Sequence, residues 1–490
     1  PGAARPGRIQ NNVMIHAMSV RTRPGAILVS LVLVLTVAAC SSRGEDASAP
    51  SGDGATTTTA ADSSAGQMFG TQPSHCSQGD DAGDTTTTAA AGGGSSDPSQ
   101  TTGVSDDAIA IGTISDPGFS GQPGLNQELF DAGQAFVEWC NSQGGINGRP
   151  IELTEYDAAI FDYAAKVTEA CGEVLALVGG GGAQDTEWSS TGQECGLVDI
   201  AAYAATPEKG GPAGHDSVIE RRTVQPAPNP QDRFPVGDIR LLAEEHPEAL
   251  DHVWIMYADF GTLKTIADRT AEAYEQVGAT IVSEQSYNVT GEANWAPFVQ
   301  KLQDDGVEWL NFVGDGTFLA QLQQAMSEAG YSPEVTAQDA NFYDQGYLDA
   351  AGDAAEGTFV RSSFVPFEEA DQNPAVQQYI DLVEGIDGEV ALLGAQSMSA
   401  WLLFTQAADA CDDAGTLTRD CLLEEAASVT EWDGGGLHAP TNPSENESAS
   451  CIIVMQVQDG AFVRYLPQDD TFSCGDDYIA QLEGDFTSSD

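Results

Sequence analysis

Chemistry in this chain would have to come from its thiols, its carboxylates or one run of glycines. Nine cysteines are present. Setting Cys40 aside leaves an even set: Cys76, Cys140, Cys171, Cys195, Cys411, Cys421, Cys451 and Cys474. No CxxC or Cys/His spacing suited to zinc occurs, so no metal site is expected. The set reads as disulfides of an exported chain. Short intervening loops favour pairing Cys171 with Cys195, Cys411 with Cys421 and Cys451 with Cys474. Cys76 and Cys140 are left over, and joining them would pin a linker to the folded body. There are six histidines; His246 and His252 flank a Glu/Ala-rich stretch and read as surface residues. The chain has no GxSxG elbow, no HExxH and no P-loop. The glycines at 179–182 have no Lys or Arg beside them, so they read as a loop at a sheet edge rather than a phosphate cradle. Carboxylates are plentiful enough for an acid–base pair, but nothing singles one out. Neither a catalytic residue nor a cofactor is expected.

The elements that must position these residues begin after a leader. Arg21 and Arg23 precede an apolar run over 26–37, and Val37-Ala38-Ala39-Cys40 follows, then Ser41-Ser42. That order reads as a secretory signal ending at a cysteine. It resembles a bacterial lipoprotein signal, in which Cys40 becomes the lipid-bearing mature N-terminus. The run is short of the ~20 residues that cross a bilayer. The true start is expected near Met14 or Met18. A net charge of -57, from Asp+Glu 75 against Lys+Arg 18, repels nucleic acid and anionic lipid surfaces.

Residues 41–103 are mostly Ser, Thr, Gly, Ala and Asp, a composition that builds no core. They read as a disordered tether reaching about 40–50 Å. From Val104 the pattern changes to alternating strands and helices. Strands are expected over 108–114, 151–157, 174–178 and 198–203, with helices over 125–143 and 163–171. The rhythm restarts after Pro228, with strands over 253–257, 279–282, 309–313 and 334–338 and helices over 264–277, 295–305 and 317–329. Such alternation implies α/β architecture with parallel sheets covered by helices. Two units in succession suggest two Rossmann-like lobes. The tail reads as a hairpin, 451–458 and 461–465, turned at Asp459-Gly460 and added to a sheet edge.

Gly144-Gly145-Ile146-Asn147-Gly148-Arg149-Pro150, followed by Ile151-Glu152-Leu153 and Asp157, resembles the signature of leucine/isoleucine/valine-type substrate-binding proteins. These are the type 1 periplasmic binding proteins of ABC importers. Tyr257-Ala258-Asp259-Phe260-Gly261, Val313-Gly314-Asp315-Gly316, Ala354-Ala355-Glu356-Gly357-Thr358 and Val457-Gln458-Asp459-Gly460 fit the same pattern, over about 104–470. The resemblance implies two lobes joined by three crossovers, lobe 1 at 104–232 plus 367–440 and lobe 2 at 233–366 plus 441–490. It implies a non-enzymatic, monomeric solute receptor, held outside the cytoplasm on the membrane by the lipid on Cys40 and partnered by an importer permease. A ligand-sensing surface lipoprotein of the same fold, or a degenerate member outside transport, is the alternative.

The family binds its ligand between the lobes, which places candidate contacts on loops after strands. In lobe 1 Phe119, Ala183, Gln184, Ala205 and Thr206 occupy those loops. Ala183 and Ala205 stand where the family uses hydroxyl residues to bind a ligand carboxylate, with Gln184 and Thr206 adjacent as substitutes. In lobe 2 Asp339 matches an acidic residue near a ligand ammonium, Phe260 an aromatic packing on the ligand, and Asp315 a place where an aromatic is common. Two aspartates beside an aromatic favour an amine, and a helix-capping role is the competing reading for both. The expected ligand is a small polar solute: an amino acid, amide or amine.

Overall fold

The computed structural model describes residues 67–78, 97–484 and 486. Cys40, the leader and residues 41–66 and 79–96 of the expected tether lie outside the described residues. A short hairpin, β1 (Met68–Phe69) and β2 (Gln72–Pro73), comes first. Lobe 1 follows with β3 (Ile109–Ser115), α1 (Glu128–Gln143), β4 (Ile151–Asp157), α2 (Tyr163–Glu173), β5 (Ala176–Val178), β6 (Val198–Ile200), α3 (Pro207–Gly210), α4 (His215–Arg221) and β7 (Thr223–Val224). Its sheet is parallel throughout, in the order β4-β3-β5-β6-β7.

The chain then crosses to lobe 2: β8 (Arg233–Pro235), α5 (Gly237–Glu245), β9 (Val253–Ala258), α6 (Gly261–Gln276), β10 (Ile281–Tyr287), α7 (Ala296–Asp304), β11 (Trp309–Val313), α8 (Gly316–Glu328), β12 (Val335–Gln338), α9 (Gln345–Ala351) and β13 (Phe359–Ser362). It returns to lobe 1 for α10 (Pro374–Glu384), α11 (Leu392–Asp413) and α12 (Arg419–Ala426). A third crossing leads to β14 (Cys451–Gln458), β15 (Ala461–Leu466), β16 (Ser473–Cys474) and β17 (Ile479–Gln481). The lobe 2 sheet runs β10-β9-β11-β12-β13-β14-β15, parallel through β13; β14 and β15 close the edge antiparallel. Asp459 and Gly460 both hold positive φ at the hairpin turn, the geometry its two-residue loop requires. β17 pairs with β8, tying the tail to the strand that enters lobe 2. This is the two-lobed α/β fold with three crossovers that the strand–helix alternation and the family resemblance together implied.

The core of lobe 1 is built around α11, apolar on nearly every face and therefore buried. Trp401 of α11 stacks on Phe136 of α1, ring centroids 5.6 Å apart. The third crossing comes later than expected. Thr441 Oγ1 donates to Pro226 O at 2.6 Å, Asn446 Nδ2 to Gly210 O at 2.9 Å and Ser448 Oγ to Pro228 O at 2.8 Å. Those bonds keep 441–448 with lobe 1.

Part of the segment read as a tether is folded onto the body. Phe69 is fully buried and meets Trp139 edge-on at 5.8 Å. Thr71 N donates to Gly435 O at 2.9 Å, and Ser77 N to Gly145 O at 2.8 Å. Cys76 is bonded to Cys140 of α1. A composition averaged over 41–103 hides this island of one phenylalanine and one cysteine. The three local disulfides, Cys171–Cys195, Cys411–Cys421 and Cys451–Cys474, are as expected. The glycine-rich signature at 144–148 is a turn from α1 into β4. Gly145 has φ +78, and a Cβ there would lie 2.0 Å from Arg149 O. Asn147 and Arg149 of the same turn bond Asp412 at the end of α11, at 3.1 and 2.5 Å.

Candidate functional site

Parallel strands of both lobes end at a shared cleft, and two connected chambers occupy it. The outer chamber, about 480 Å³, lies between the lobes. The deep chamber, about 290 Å³, runs past the crossovers into lobe 2, between its sheet and helices α5 and α6. Tyr203, Leu263, Gly314, Asn341, Leu392 and Leu393 line both, so the two are continuous.

The lobe 1 wall is not a carboxylate clamp. The N–H groups that would serve one already bond buried side chains of the protein itself. Asp116 accepts from Ile160 N at 2.6 Å and Ala183 N at 2.8 Å. Asp185 accepts from Ala205 N at 2.9 Å, Thr206 N at 3.0 Å and Thr206 Oγ1 at 2.5 Å. Burial pushes both carboxyls above their ordinary range and the N–H bonds pull them back; Lys209 also pulls on Asp185. The hydroxyl of Thr206 is thus committed, and Gln184, Ala205 and Thr206 line neither chamber. Ala183 and Phe119 do line the outer one. The glycines at 179–182 serve close packing. A Cβ at Gly181 would strike the Tyr203 ring at 2.4 Å, and one at Gly182 the Tyr163 ring at 2.6 Å.

In the outer chamber four carboxylates, Glu128, Asp315, Asp344 and Glu389, share the lining with six aromatic rings and no Lys or Arg. Asp315 caps a helix, one of its two expected roles, and also bridges the cleft. Its Oδ1 caps α8 through Thr317 N at 2.8 Å, and its Oδ2 accepts Gln122 Nε2 of lobe 1 at 2.6 Å across the cleft. Asp344 caps α9 through Tyr347 N at 2.7 Å. Burial, then the neighbouring charges of Glu389, Asp344 and Asp131, push Glu128 up to about 8. Glu128, Asp344 and Glu389 were not singled out from the sequence. Glu128 opens a helix well past its strand, and Glu389 lies in the loop between helices α10 and α11, so a search of loops after strands passes over both.

Asp339 lies in the deep chamber, not beside a bare ammonium site. Its Oδ1 is paired with Arg361 of β13 at 2.9 Å, and it caps the turn that follows through Ala340 N at 2.6 Å. The Arg361 guanidinium sits 5.3 Å from the Phe234 ring centre. Asp238 of α5 is buried nearby. Burial raises its carboxyl to about 6, against the pull of Arg361. Phe260 starts α6 and lines neither chamber. Among the described residues no cluster suited to a metal ion occurs, and no helix is long and apolar enough to cross a membrane.

Two sheet-cored lobes with ligand space between their carboxyl edges define a solute-binding receptor. The family model described as periplasmic binding protein matches residues 108–461, and the chain belongs to that family, of the leucine/isoleucine/valine-binding type. Solved structures agree on the fold. The fatty acid ABC transporter substrate-binding protein from Thermomonospora curvata is 19% identical, over 77% of this chain and 95% of that one, with a TM-score of 0.62. The leucine binding protein LivK from Thermotoga maritima is 14% identical, over 73% and 98%, with a TM-score of 0.59. An extracellular ligand-binding receptor from Rhodopseudomonas palustris HaA2 is 17% identical, over 73% and 99%, with a TM-score of 0.60. No curated protein sequence matches.

Proposed function

We propose that this protein is the extracytoplasmic receptor of an ABC importer, lipid-anchored through Cys40, and that it closes its lobes on a small organic cation without altering it. The carrying observation is the pair of walls facing the outer chamber. Lobe 1 offers no free N–H set to a carboxylate, because Asp116 and Asp185 hold Ala183, Ala205 and Thr206. Four carboxylates and aromatic rings line the space with no counter-cation. An ammonium relieves the mutual repulsion of Glu128, Asp344 and Glu389 and gains from the ring faces. A free carboxylate, as in leucine or a fatty acid, would add to that repulsion. Contacts to both lobes exist only in the closed form, so binding shifts the population toward it, and the importer reads the shape.

Calorimetric titration tests this. Hexylamine, putrescine and spermidine are expected to bind, and leucine and palmitate are not. Glu389→Gln is expected to weaken the amines about tenfold, the loss of one close charge contact. Leucine binding that survives Glu389→Gln would refute the cation reading.

A further inference from the structure

The deep chamber carries hydrogen-bonding capacity that folded interiors ordinarily satisfy. Asp238, Asn311 and Gln338 are 5%, 7% and 2% exposed. Yet Asp238 Oδ1, Asn311 Oδ1 and Gln338 Nε2 have no hydrogen-bond partner, and neither does Gln396 Oε1, offered from α11 in lobe 1. All four residues line this one chamber. Two are oriented by their other ends. Asn311 Nδ2 donates to Ala337 O at 3.0 Å, which leaves its oxygen free. Gln338 Oε1 accepts from Phe312 N at 3.0 Å, which leaves its NH₂ free. The chamber therefore presents one amide donor and the Arg361 guanidinium beside several acceptors, with Ile239, Ile266 and Ile452 among the apolar lining.

We infer that the deep chamber is a second ligand compartment that takes a neutral group bearing both N–H donors and a carbonyl acceptor, of carboxamide or urea type. The carbonyl accepts from Gln338 Nε2; the single N–H of a secondary amide donates to Asn311 Oδ1, and a primary carboxamide or urea has a second N–H for Asp238. An ammonium answers the acceptors but leaves Gln338 Nε2 unpaired and meets Arg361. A carboxylate answers Gln338 and Arg361 but meets Asp238, Asp339 and the Asn311 oxygen. Only a group of both polarities satisfies the set. With the outer chamber in series, the ligand is elongated. This rests on the reading that the cleft binds a solute, and not on the charge of its outer end.

The test compares N-acetylputrescine, which has both groups, with hexylamine, which has only the cation, and N-butylacetamide, which has only the amide. Titration calorimetry of the full chain is expected to show N-acetylputrescine binding about tenfold or more tighter than hexylamine. Gln396→Leu breaks no internal bond. Gln338→Glu keeps an oxygen for Phe312 N and removes the free donor. In each variant, its fold checked by melting, the advantage is expected to shrink to about threefold or less. Equal affinity of the two amines for the unmodified protein overturns the inference, as does an advantage unchanged in both variants. So does a crystal structure of the N-acetylputrescine complex with only ordered water in the deep chamber. N-butylacetamide binding without any amine binding sinks the cation reading and supports this one; hexylamine binding with no gain from the acetyl group does the reverse.

Discussion

The two lobes face the same cleft with opposite habits. At its strand ends lobe 1 bonds itself: Asp116 and Asp185, both fully buried, hold the N–H groups of Ile160, Ala183, Ala205 and Thr206, and three of the four disulfides fasten the lobe. Lobe 2 leaves Asp238, Asn311 and Gln338 unanswered and carries Arg361 at the same place. A wall that bonds itself is rigid and undemanding; a wall with open donors and acceptors selects. On the proposed reading, ligand choice is concentrated in the deep chamber and in the carboxylates at the interface. Lobe 1 supplies a firm surface to close against.

The sharpest way to break that contrast is Asp185→Ala. It strands Ala205 N, Thr206 N and Thr206 Oγ1 and takes a carboxylate from the neighbourhood of buried Lys209. A loss of about 3–5 kcal/mol is expected in chemical denaturation; an unchanged midpoint would mean lobe 1 is not self-sufficient. Replacing Cys76 and Cys140 together by Ser is next, at about 2–4 kcal/mol, since that bond closes a long loop of the unfolded chain. Limited proteolysis is expected to cut near residue 70 in that variant.

The interface carboxylates make a pH prediction. Glu128 is raised to about 8 from an ordinary 4.5, so the folded protein keeps a proton that the unfolded chain releases. From this group stability falls as pH rises between those two values and is level outside them. A bound cation favours the ionised form. Affinity for an amine is then expected to climb about tenfold from about pH 6 to about pH 8 and flatten above, with proton release seen by calorimetry in buffers of different ionisation heat. Glu128→Gln is expected to remove the climb. The smallest effect belongs to Asp315→Ala, about 1 kcal/mol in stability from the lost cap of α8. A fewfold loss of amine affinity should accompany it as the bridge to Gln122 goes, and a loss of stability alone would leave Asp315 a cap and nothing more.

The strands β4 and β11 and the closing hairpin could be read almost residue by residue, because apolar alternation and turn residues are local signals. The three short-loop disulfides were legible for the same reason. Arg361 was not. It sits in a four-residue strand, and its pairing with Asp339 depends on β12 and β13 lying side by side. Nor were Asp116 and Asp185 legible as occupants of the lobe 1 clamp, since their partners are 20 residues away or more.

Periodicity and turn chemistry pointed to two α/β lobes, because both are written in neighbouring residues; the three crossings and the receptor family came from the resemblance that the ordered motifs carry. Which polar groups remain open to a ligand is a different kind of fact. A hydrogen bond counts only once both ends are placed, and here the partners come from distant strands. Tertiary structure alone decided that Asp116 and Asp185 hold the N–H groups of Ala183, Ala205 and Thr206, that Asp339 is already paired, and that open groups of Asp238, Asn311, Gln338 and Gln396 share one chamber.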